Sequence, residues 1–193
     1  MSQVINGVNV IGLMQTIDAV KADAAVAKFR FRLQNKWLEG GHNRSTVNEF
    51  YGAGQPHQHA KSFVVNADEP NLLLGGDTAP NPAEYLLTAL AACVTSAIVY
   101  HAAARGIKVE QIESEIEGDV DVRGFLGLDP SVRNGFQNIR MTLAILADVS
   151  DEQIQELAGL GTGFSPVFDS VTNGVPVTVR TERMKKEQAA NAA

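Results

Sequence analysis

Between Lys28 and Trp37 the chain alternates. Phe29, Phe31, Leu33 and Trp37 fall on one side, and Lys28, Arg30, Arg32, Gln34 and Lys36 on the other. A period of two predicts a half-buried strand. Gly40-Gly41 closes it. Ser45–Tyr51, turned by Gly52-Ala53-Gly54, predicts a second strand, and Ser62–Ala67 a third. Upstream, within residues 8–21, Val10, Leu13, Ile17 and Val20 recur at helical intervals. They predict a short amphipathic helix that packs as an accessory element.

The pattern then lengthens. Tyr85 to Ala104 contains no Asp, Glu, Lys or Arg. Asn81-Pro82-Ala83-Glu84 before it carries an N-cap, a proline for the first turn and a capping-box glutamate; Gly106 supplies the stop. Ile112, Ile116, Val120 and Val122 alternate with Glu113, Glu115, Glu117, Asp119 and Asp121, and predict a strand with one solvated face. Ile139, Met141, Leu143 and Ile145 predict its neighbour, across a turn-rich Gly124–Pro130 connection. Ser150-Asp151-Glu152-Gln153 caps a second helix running to Leu160. A loop is expected over Gly161–Pro166, a last strand through Val175, Val177 and Val179, and a frayed tail over 183–193. The strands cluster as hairpins, which predicts an antiparallel α+β domain with helices on one face.

The chain has 193 residues, enough for one domain with an appended element and a sizeable core. Residues 1–26 read as an N-terminal helical extension, 27–182 as the domain and 183–193 as the tail. Net charge is −6 without a basic patch, so no nucleic-acid partner is expected. The alanine-rich stretch of residues 85–104 reads as a core helix, and no membrane association is expected. Met1-Ser2-Gln3-Val4 lacks the start of a signal peptide, and a single cysteine excludes an internal disulfide. Both features point to the cytoplasm.

Candidate chemistry is sparse. His42, His57, His59 and His101 are scattered, so no metal is expected. Gly124-Phe125-Leu126-Gly127 lacks the residues of a phosphate loop, and Ser165 is in no nucleophile elbow. Cys93 remains, mid-helix in Leu90-Ala91-Ala92-Cys93-Val94. It reads either as a small buried hydrophobe or as a reactive thiol, and the second needs a cation from another segment.

Pro80-Asn81-Pro82-Ala83-Glu84-Tyr85 running into Ala91-Ala92-Cys93 resembles the helix of the OsmC/Ohr family. The likeness continues through Gly124-Phe125-Leu126-Gly127 and Ser165-Pro166-Val167-Phe168-Asp169 and covers roughly 27–182. It implies an intertwined α+β homodimer of antiparallel sheets around a long central helix, with sites at the subunit interface. It also implies a thiol peroxidase that reduces organic hydroperoxides through Cys93, without a cofactor. An arginine would lower the thiol pKa and stabilise the leaving alkoxide; Arg44 is the candidate by position, with a surface charge as the alternative reading.

Besides the loose match of Arg44, two departures from the family pattern matter. Ser165 stands at the resolving-cysteine position. The family's arginine-orienting glutamate falls at Ala83. Glu84, nine residues before Cys93, is turned about 180° from it on an ideal helix and reads as a cap. The expectation is therefore a single-cysteine hydroperoxide reductase that uses an external thiol reductant. The alternatives are a catalytically degenerate dimer binding a small hydrophobic ligand, or a redox sensor. Phe50, Tyr51, Tyr100, Phe164 and Phe168 are the candidates to line an apolar pocket.

Overall fold

The computed structural model describes residues 3–184. It opens with a hairpin, β1 (Val4–Ile5) and β2 (Val8–Asn9), around an Asn6-Gly7 turn. Both turn residues have positive φ, 54° and 77°, as the mirror-image hairpin turns require. Asn9 then caps α1 (Val10–Ala22), its side chain accepting from Gly12 N–H.

The first sheet is built on β5 (His42–Gly52). One edge of β5 pairs with β3 (Arg30–Phe31) and β4 (Gln34–Glu39), and the other with β6 (Gln55–Ala67), all antiparallel. The strand expected over 28–37 is thus two strands, with Arg32 and Leu33 between them. It is also not half-buried in this chain: Phe31 is 78% exposed and Trp37 68%. The alternation is present, but among the described residues no other element covers its apolar side.

The helix α2 (Pro82–Ala104) ends in a Schellman closure. Gly106 takes φ 74°, and Ile107 N–H returns to Ala102 O at 2.9 Å. The antiparallel strands β7 (Val109–Asp119) and β8 (Asn138–Ala147) follow, with the one-turn helix α3 (Val122–Phe125) between them. Val120 and Val122 were expected to continue β7. Instead the Asp121 side chain accepts from Arg123 N–H and caps α3, which turns the chain out of the sheet.

The core forms where α2 meets this hairpin and α4 (Asp151–Gly163). Leu90, Val94, Ile98, Ala102 and Leu157 are its buried centre; Ile112, Ile116, Ile139, Met141, Leu143 and Ile145 close it from the sheet. The expected loop at 161–166 is mostly helix. Gly161 is there for packing: a Cβ would come within 2.6 Å of Ile98 Cγ1. Only Phe164 and Ser165 separate α4 from α5 (Pro166–Asn173), a helix missing from the expectation. Residues 174–184 form neither helix nor strand, and Val177 and Val179 are 81% and 83% exposed. The valine period is that of a strand; the backbone finds no edge to join here. Of the expected tail, 185–193 lie outside the described residues.

Candidate functional site

Cys93 is half-buried on α2. The buried ridge of the helix runs through Leu90, Val94 and Ile98. Cys93 sits beside that ridge. By helical spacing it shares a stripe with Leu86, Ala89 and Tyr100. Leu86 is 38% and Tyr100 53% exposed, so the thiol stands at the margin between core and solvent. Cys93 is the sequence's only thiol.

Arg44 projects from β5. Its Nε donates to Asn66 Oδ1 across the sheet at 3.0 Å. The backbone oxygen of Asn66 in turn accepts from the Tyr85 hydroxyl at 2.6 Å. Arg44 is thereby tied, through one asparagine, to the first turn of α2. Tyr85 lies eight residues before Cys93, about 12 Å along the helix axis. Asn66 is a linker that sequence reasoning missed, because nothing local marks an asparagine as the joint between a strand and a helix.

Glu84 closes a capping box. It donates its N–H to Asn81 Oδ1 and accepts from Asn81 N–H, both at 2.8 Å. Ser165 is 2% exposed, and its hydroxyl accepts from Phe168 N–H at 3.1 Å as the N-cap of α5. Where a resolving thiol was expected to be replaced, the replacement is a helix cap. The loop leading into α2 is closed by Asp68, 1% exposed, which accepts from Glu69 N–H and from the backbone and hydroxyl of Thr78. The Thr78 hydroxyl, with further backbone N–H groups, holds the Asp68 carboxyl below its usual range against the opposing effect of burial.

The aromatic candidates are dispersed. Phe50 and Tyr51 line a hollow of about 450 Å³ with Arg32, Glu49, Pro56, His57 and Gln58. Phe50 stacks on His57 with centroids 5.0 Å apart. Phe168 packs on the core, while Tyr100 is exposed. Phe164 stacks on His101 at 4.3 Å. Burial, and then the Arg105 charge, pushes the His101 pKa down. A second, open groove of about 850 Å³ runs between α2 and β7, lined by residues such as Leu87, Thr88, Ala91, Thr95 and Ile116. Cys93 lines neither hollow. Among the described residues no cluster of three or more His, Cys, Asp or Glu is placed to hold a metal.

A long helix clasped by an antiparallel hairpin and two further helices defines the protein as an α+β domain. The description of OsmC-like proteins matches residues 75–180, more than half of the 193 residues, and the chain belongs to that family. No curated protein matches it. Solved structures share its fold at low identity. An OsmC-like protein from Mycoplasma pneumoniae is 15% identical with a TM-score of 0.55, over 74% of this chain and 86% of that one. An organic hydroperoxide resistance protein from Legionella pneumophila is 16% identical with a TM-score of 0.52, over 75% and 91%. An OsmC-like protein of unknown function from Vibrio cholerae is 12% identical with a TM-score of 0.52, over 74% and 94%.

Proposed function

We propose that this protein is a cytoplasmic single-cysteine peroxidase that reduces organic hydroperoxides, acting as a homodimer. The observation that carries the reading is the position of Cys93, on the half-exposed flank of the family's helix. The thiolate attacks the O–O bond. An S–O bond forms, the O–O bond breaks, sulfur becomes a sulfenic acid, and the leaving alkoxide takes a proton to become an alcohol. With Ser165 holding a helix end, an external dithiol completes the cycle. One thiol displaces the sulfenic oxygen as water and forms a mixed disulfide; the other releases Cys93 and leaves as a disulfide. Arg44 belongs to this reading as the cation supplied across the interface of the dimer, where it would favour the thiolate and the leaving oxygen.

The test is turnover of cumene hydroperoxide with a dithiol reductant. Substitution Cys93→Ser should abolish it, and Arg44→Gln should lower it by about 10²-fold or more. Activity that survives in Cys93→Ser would end the proposal.

A second reading rests on the groove between α2 and β7. Its alanine, threonine and leucine lining suits a small hydrophobic ligand in a protein without peroxidase turnover. Saturable stabilisation by a fatty acid, equal in wild type and Cys93→Ser, together with no turnover, would favour it.

A further inference from the structure

The turn residue Asn6 does more than reverse the chain. Its side-chain Nδ2 donates to Ile107 O at 3.0 Å, and its Oδ1 accepts from Val109 N–H at 2.9 Å. The amide imitates the peptide group of a neighbouring strand. It fastens the N-terminal hairpin to the junction where α2 ends and β7 begins. The contact joins residues more than a hundred positions apart, and α1, directly downstream, also packs on α2.

The residue after Asn6 is Gly7, exposed and without a side chain to shield its nitrogen. Asparagine followed by glycine is the pair most prone to cyclise. The glycine nitrogen attacks Cγ, an N–C bond forms, the Cγ–Nδ2 bond breaks and ammonia leaves. Water then opens the ring to aspartate or isoaspartate, with no change of oxidation state. For this, Cγ of Asn6 must swing onto the nitrogen of Gly7. In the docked hairpin both ends of the amide are held by Ile107 and Val109 instead.

We propose that Asn6-Gly7 is a deamidation site gated by docking of the hairpin, and that its conversion unfastens the hairpin and α1 from the α2–β7 junction. Aspartate has no donor for Ile107 O, so two oxygens are left facing each other. Isoaspartate also inserts a methylene into the turn, which no longer fits the two positive-φ positions. The step is irreversible, so the modification records how long the N-terminal element has spent undocked.

The full-length protein is incubated at mildly alkaline pH, folded and in urea, and its peptide 1–21 is followed by mass spectrometry for exchange of NH₂ by OH and for isoaspartate. Conversion should be on the order of tenfold slower or more in the folded protein, as expected for a reaction that waits on local opening. Equal rates overturn the gating. In Asn6→Asp, hydrogen-exchange protection should fall over residues 3–22 while that of α2, β7 and β8 holds. Unchanged protection over 3–22 overturns the unfastening. Loss of protection throughout the fold would overturn the claim that release is local, and the rate comparison in the wild type would still decide the gating.

Discussion

Asp68 sits where the chain leaves the first sheet for α2, and its partners are all hydrogen-bond donors. Its folded pKa is lowered, so it stabilises the fold fully above the ordinary carboxylate range and loses that contribution as pH falls through the depressed value. Asp68→Asn puts an amide donor against donors. We expect the urea midpoint of the variant to lie below wild type at neutral pH, with the gap closing from about pH 5 downward. A gap that stayed constant into acid would assign the stabilisation to shape rather than charge. Single residues were legible where their partners are close in sequence. Asn81 and Glu84 form the expected capping box, as do Ser150 and Gln153. The Asp68–Thr78 clasp was not legible, because its partners are ten residues apart and meet only when the loop closes.

Among the elements, α2 was read almost to its ends, because a charge-free run between a capping box and a glycine leaves little else to form. The boundary between α4 and α5 was misread for a physical reason. Gly161 and Gly163 look like loop residues, but Gly161 faces Ile98 and Val94 across a helix–helix contact. Gly161→Ala gains helix propensity and loses more by overpacking. We expect a net destabilisation of about 1–3 kcal/mol, read as a lower thermal midpoint. A variant as stable as wild type would mean that α4 can slide away from α2. Gly159, with open space around its Cβ position, is the control: Gly159→Ala should stabilise the same helix by roughly 0.5–1 kcal/mol.

At the scale of the molecule, surface is the outstanding quantity. The chain exposes 14347 Å². A compact monomer of its 20.7 kDa mass would expose about 8,900 Å². Phe31, Trp37, Phe125 and Val177 are among the apolar residues left more than two-thirds exposed. Together they support the proposed homodimer, since obligate interfaces bury 2,000–5,000 Å² or more and are apolar. Light scattering at micromolar concentration should give twice the chain mass. A stable monomer that keeps its secondary structure would sink the dimer, and with it the role given to Arg44.

From the sequence alone come local facts: the alternation over residues 28–37, 112–119 and 139–145, the caps of the long helix, the α+β class, and the lone thiol placed on a family helix. Neighbours in the chain set these through spacing and short hydrogen bonds. The fold decided which faces are covered. It buried one flank of α2 under β7, β8 and α4, left the alternating faces of β3, β4 and residues 175–179 uncovered among the described residues, and joined Arg44 through Asn66 to Tyr85 and Asn6 to Ile107. Such contacts depend on where distant segments come to rest, and a periodicity gives a side chain its direction without giving it a partner.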